Sequence, residues 1–94
     1  VTSRTALGDL KRELAKAEQD VEQVRSRAAR DQARMDSGSA SVKDVQALSS
    51  ELENLVRRQE ALEEVELEVM ERVAAHETAL AELTSARDEL LAQR

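Results

Sequence analysis

Apolar residues recur along this chain at alternating steps of three and four, in two long runs separated by a short polar break. The first run is Leu7, Leu10, Leu14, Ala17, Val21, Val24, Ala28 and Met35, with Asp31 at one of its positions. The second is Val45, Leu48, Leu52, Leu55, Leu62, Val69, Val73, Leu80, Leu83 and Leu90, with Gln59, Glu66, His76 and Arg87 at the interrupted positions. Steps of three and four average 3.5 residues, the period of a coiled-coil seam. The pattern predicts an all-α fold, a long antiparallel two-helix coiled-coil hairpin, as a single unit over residues 1–94.

The boundaries follow from the residues that start and stop helices. Helix 1 is expected over about residues 5–36. Its start is weakly marked, because neither Ser3 nor Thr5 is followed three residues later by Glu or Gln, and Gly8 weakens the first turns. Its end is clear: Arg30 and Arg34 complement the helix dipole, and Gly38 suits the left-handed closing position. Residues 37–41 form the turn. Ser41 caps helix 2, with Asp44 three residues on, and no breaker follows from Val42 to Arg94. Helix 2 over about 42–94 is then longer than helix 1, about 80 Å against about 48 Å at ~1.5 Å per residue.

A turn this short makes the helices antiparallel neighbours. Folding at Ser39 sets residues whose numbers sum to roughly 79 opposite each other. Met35 then lies near Val45 and Leu48, Val21 near Leu55 and Gln59, and Leu7 near Val73. The same register sets Lys11, Arg12 and Lys16 beside the acidic run from Glu60 to Glu68, and Arg25 and Arg27 beside Glu51 and Glu53. Helix 1 runs out opposite Val73. Leu80, Leu83, Leu90 and Leu91 are left without a partner, and an open leucine stripe is an association site. The chain is expected to pair there with another copy. In a longer parent, sequence upstream of Val1 would take that place; a chain that opens on Val1 and not Met is expected to be an excised piece.

Composition sharpens this picture. The 94 residues contain no Pro, Cys or aromatic residue, and 36% are charged. A compact core without aromatics is unusual, whereas a two-helix seam is filled by Leu, Val and Ala. Without cysteine there is no disulfide and no thiolate metal site. No stretch approaches the ~20 apolar residues that cross a bilayer, so no membrane role is expected and the cytoplasm is the default location.

The net charge of −6 divides unevenly. Residues 1–36 hold eight Lys/Arg and seven Asp/Glu; residues 37–94 hold six and thirteen. Overall acidity argues against nucleic-acid binding over the whole surface.

Four groups of residues invite a functional reading. Arg25, Arg27, Arg30 and Arg34, with Lys43, form a basic patch near the hairpin tip suited to phosphates or an acidic partner. Local pairs such as Arg27–Asp31 and Arg30–Asp31 on a solvated face are the simpler and favoured reading, and no aromatic is interleaved for base stacking. The acidic run from Glu60 to Glu71 could dock a basic partner, but Lys11, Arg12, Lys16 and an internal Glu68–Arg72 pair account for much of it. His76, the single histidine, lacks convergent ligands and reads as structural. Asp31, Gln59, Glu66 and Arg87 in the seam set register or snorkel to water. No pocket on a two-helix rod would raise a carboxylate pKa or hold a substrate, so an enzyme is not expected.

Several short stretches together carry a family resemblance. They are Arg30-Asp31-Gln32, Met35-Asp36-Ser37-Gly38, Lys43-Asp44-Val45-Gln46-Ala47-Leu48, Glu51-Leu52, Arg57-Arg58-Gln59, Leu62-Glu63 and Glu66-Leu67-Glu68-Val69-Met70-Glu71-Arg72. Over roughly Arg30 to Val73 the chain resembles the hairpin tip of bacterial coiled-coil proteins with a C-terminal four-cysteine zinc ribbon, in an actinobacterial style rich in Arg and Ala. The resemblance implies a helical arm or scaffold linked to transcription, nucleic-acid or secretion contacts. It departs in having Val42 where the family often has Pro, and in having no cysteine. No cofactor is therefore expected here, zinc belonging only to the ribbon of a longer parent.

The function expected from all this is a non-enzymatic coiled-coil arm for protein–protein association. The rivals are a nucleic-acid-binding module acting through the arginine-rich tip and a purely structural rod or filament segment.

Overall fold

The computed structural model describes the backbone of residues 3–93 and the side chains of 5–93. Two helices account for nearly all of it: α1 (Ser3–Asp36) and α2 (Val42–Ala92). The molecule measures 78 × 20 × 15 Å. A 51-residue helix is itself about 76 Å long at ~1.5 Å per residue. The length of the rod is thus the length of α2, and α1 lies alongside it in an antiparallel coiled-coil hairpin.

The turn is built from small polar groups. The Ser37 hydroxyl donates to the Arg34 carbonyl at 2.7 Å and lies 2.9 Å from the Ser39 hydroxyl. Gly38 takes φ +73°, a left-handed conformation that a residue with a Cβ adopts only under strain. Ser41 is extended, and its Oγ accepts the Asp44 N–H at 3.1 Å. The cap satisfies one of the orphan donors of the first turn, and Asp44 adds a carboxylate at the positive end of the helix dipole.

The core is one layer of side chains between the two helices. Ala17, Val21 and Val24 from α1 and Leu48, Leu55, Val69 and Val73 from α2 are buried, Val69 completely and Val21 to 2% exposure. Every seam position from Leu7 to Met35 and from Val45 to Leu80 is buried or half-buried, and from Ala81 to Gln93 every residue is exposed. The polar members of the seam obey the same rule: Asp31, Gln59, Glu66 and His76 are half-buried.

Three ion pairs cross the seam and locate its register. Arg27 Nη2 lies 2.7 Å from Glu51 Oε1, Arg72 Nη2 lies 3.1 Å from Glu13 Oε1, and Arg25 Nη2 lies 3.8 Å from Glu63 Oε1. With the seam residues written as a and d of a heptad, the first two pairs join g to g and the third joins e to e, the flank pairing of antiparallel helices. Their numbers sum to 78, 85 and 88. One arrangement meets all three: seam layers whose numbers sum to 83. It sets Met35 against Leu48, Asp31 against Leu52, Ala28 against Leu55, Val21 against Leu62, Leu14 against Val69 and Leu7 against His76.

This is a shift of about one helical turn along α2 from the sum of 79 given by folding symmetrically at Ser39. The physical reason is that seam residues of opposite type, a and d, must face each other across an antiparallel pair. A symmetric fold takes no account of that rotational phase. The shift also changes the charge pairing. Arg25, at an e position, reaches Glu63 rather than Glu51 or Glu53. Arg12 and Lys16, at outward f and c positions, pair within α1 with Asp9 and Asp20 instead of with the acidic run of α2. Arg72 crosses to Glu13 rather than pairing with Glu68.

Candidate functional site

The seam continues along α2 after α1 has ended. Leu80 is half-buried while the next seam leucines are open. Leu83 is 63% exposed, Leu90 67% and Leu91 50%. Leu80, Ala81, Leu83, Thr84 and Arg87 line one shallow trough on this stretch. Three of the four leucines expected to stand open therefore do so, and Leu80 sits at the junction. The stretch is helical to Ala92, so its leucines are presented on a preformed surface.

The basic residues expected at the tip do not form one patch. Arg25 and Arg27 stand two apart on α1, which turns them about 200° from each other around the helix. They accordingly make their ion pairs on opposite flanks of the seam, Arg25 with Glu63 and Arg27 with Glu51. Arg34 is at a g position with Arg27, and Arg30 lines the same surface groove as Arg27. Lys43 falls at an f position of α2, away from the seam. The structure adds Arg58, a residue the linear reading left out. It lines a small cleft with Gln23, Val24, Arg27 and Leu55. Its g position in α2 was the available signal. Among the described residues Arg30, Arg34, Lys43 and Arg58 make no ion pair.

The seam's polar residues differ in how they are satisfied. Gln59 donates its side-chain amide to Glu63 Oε1 at 2.7 Å. Asp31 has a buried Oδ2 without a hydrogen-bond partner, and the local pairs with Arg27 and Arg30 that would have engaged it are absent. His76 is half-buried in the layer with Leu7. Among the described residues no cluster of His, Asp or Glu could hold a metal ion. The chain has no cysteine for a zinc ribbon, so the residues present do not fit that metal. No helix of the described residues is long and apolar enough to cross a membrane.

Comparison with known proteins agrees with this architecture. A family model described as a CT398-like coiled coil hairpin domain matches residues 1–94. Two relatives, the uncharacterized proteins MT2288 and Rv2229c of the CDC 1551 and H37Rv strains of Mycobacterium tuberculosis, are each 39% identical over 69 residues. Those residues are 73% of this chain but only 28% of each relative, so the chain spans under a third of the proteins it matches. No solved structure matches the chain.

Proposed function

The chain belongs to the CT398-like coiled coil hairpin domain family, and on that premise we propose that it is a non-enzymatic arm that works by protein–protein association through the end of α2. The observation that carries this is the seam that outruns its partner. Leu83 and Leu90 keep the phase of the buried positions yet lie 63% and 67% exposed. Another helix entering this seam would bury them as α1 buries Val69 and Val73. Apolar burial at ~25 cal/mol per Å² is the driving force.

Arg87 selects the direction of the incoming helix. In a parallel pair of two copies it would face its own counterpart, a like-charge contact in the seam. In an antiparallel pair it faces a leucine of the partner and its stem packs while the guanidinium reaches water. A second antiparallel copy is therefore the proposed occupant for these 94 residues.

The relatives' greater length supports a larger parent in which the hairpin is one part. The resemblance to zinc-ribbon coiled-coil proteins extends the proposal to a cytoplasmic parent with the ribbon outside this stretch, which four cysteines in two close pairs would establish. The division of Arg25 and Arg27 between opposite flanks counts against a single nucleic-acid contact at the tip.

Sedimentation equilibrium with circular dichroism tests the association. Wild-type chain should self-associate, and Leu83→Asp with Leu90→Asp should be monomeric with its helicity largely kept. A wild-type chain that stays monomeric as its concentration rises overturns the reading.

A further inference from the structure

Away from the open end of α2, five large apolar side chains among the described residues stand exposed: Val42, Val56, Val65, Leu67 and Met70, each 47% exposed or more. Val42, Val56 and Met70 fall at e positions of α2, and Leu67 falls at a b position, next to e on the helix surface. Val65 is at g, on the other flank. We propose that the e flank of the hairpin is a docking surface for a basic amphipathic helix of a partner protein. This surface is separate from the open end of α2 and does not depend on it.

Single exposed apolar residues are ordinary, but these share one phase. Val42 to Val56 and Val56 to Met70 are equal steps of about 21 Å at ~1.5 Å per residue. Leu67 stands within one turn of Met70. At Val56 the flank dips into a shallow trough lined also by Met35 and Leu52, with Glu53, Arg57 and Glu60 around them. Met35 and Leu52 are half-buried seam residues at a positions, the edge of the seam that borders e. An incoming helix would therefore meet part of the seam itself there.

Charge selects the occupant. Among the described residues, the e and b positions of the two helices hold eight Asp/Glu and two Lys/Arg, whereas the g and c positions hold eight and six. The f positions behind, with Arg12, Lys43 and Arg57 against Glu64 and Glu71, offset this by a single charge. The two bases on the flank are matched within the hairpin: Arg25 lies 3.8 Å from Glu63, and Lys11 falls opposite Glu77 in the register. Arg57, at the trough, donates to Asn54 Oδ1. Around the apolar residues this leaves Glu18, Glu22, Glu53 and Glu60, none of them in an ion pair. A second copy, a nucleic acid or an anionic membrane would bring like charge to this face. A helix with an apolar stripe edged by Lys or Arg brings both complements. Its basic stems would lie over Leu67 and Met70 while their charged ends reach the carboxylates.

The test is fluorescence anisotropy with a labelled helical peptide of about 18 residues bearing Leu at i, i+3, i+7 and i+10 with Lys on either side, and a scrambled peptide of the same composition as the second probe. The helical peptide should bind wild-type chain at low salt, and the scrambled one should bind at least about tenfold more weakly. Leu67→Lys with Met70→Lys should weaken binding by about tenfold or more, and Glu53→Gln with Glu60→Gln by about threefold or more. A charge-matched pair on the other flank, Ala61→Lys with Val65→Lys, should change it less than about threefold. Leu83→Asp with Leu90→Asp, which alters the open end, should bind as wild type does. All these positions except Glu60's neighbours in the seam are exposed, and circular dichroism should show every variant as helical as wild type. The proposal is overturned by no peptide binding at low salt, by equal binding of the scrambled peptide, by equal weakening in the other-flank pair, or by loss of binding in the open-end variant.

Discussion

Asp31 is the residue at which this hairpin is least content. It occupies a seam position opposite Leu52, and its Oδ2 is buried without a hydrogen-bond partner. Burying an unpaired polar atom costs on the order of 1–3 kcal/mol. Asp31→Leu should therefore raise the thermal midpoint, with a gain of about 1 kcal/mol or more visible in urea titration; an unchanged or lower midpoint would mean the carboxylate is satisfied in solution. Gly8 is the second residue with stability to give. A Cβ there meets only the guanidinium of Arg12 at 3.7 Å, an ordinary contact. Gly8→Ala should add up to about 1 kcal/mol through helix propensity, read as increased helicity and a higher midpoint. Gly38 behaves oppositely. A Cβ there meets nothing within 4 Å, but φ is +73°, so Gly38→Ala should cost roughly 1 kcal/mol through backbone strain alone.

At the scale of the helices, phase was legible in the sequence and register was not. Phase comes from which side of a helix is apolar, and in α2 ten apolar seam residues, Leu48, Leu55 and Val69 among them, repeat the same message, so an error at one is corrected by the next. Register is a different quantity. A seam of Leu and Val at a seven-residue period packs almost equally well when one helix slides along the other. The decision falls to flank charges, whose long side chains blur position by a turn. Arg72 illustrates this, since a local Glu68 and a distant Glu13 were both within reach and the structure uses Glu13. The candidate surfaces divide in the same way. The open leucines followed from one helix being longer, a matter of counting. The dispersal of Arg25 from Arg27 and the recruitment of Arg58 required assigning heptad letters to both helices before charges were grouped. The Ser41 cap, by contrast, was local and legible. Ser41→Ala removes the acceptor of the Asp44 N–H and should cost about 1 kcal/mol, with loss of helicity confined to the first turn of α2 in amide exchange.

At the scale of the molecule, the two helices of the described residues make one interface, with no second layer behind it among those residues. Stability therefore rests on each seam layer in proportion to its burial. Val69→Asp places a charge at a site with no exposure at all; a penalty of several kcal/mol is a large share of the 5–15 kcal/mol of a typical domain, and the chain should lose most of its helical dichroism. A variant that kept its helicity would show that α2 holds together without α1.

The turn sits at one end of the rod and the first residues of α1 near the other, beside the α2 stretch that continues alone. Pulled apart from that open end, the hairpin would part like a zip, one layer yielding before the next is loaded, at low and nearly constant force. Dragged lengthwise against each other, the same helices would have to break all their layers at once. An arm of this design yields to peeling and resists shear, so the direction from which its partner tugs decides whether it opens.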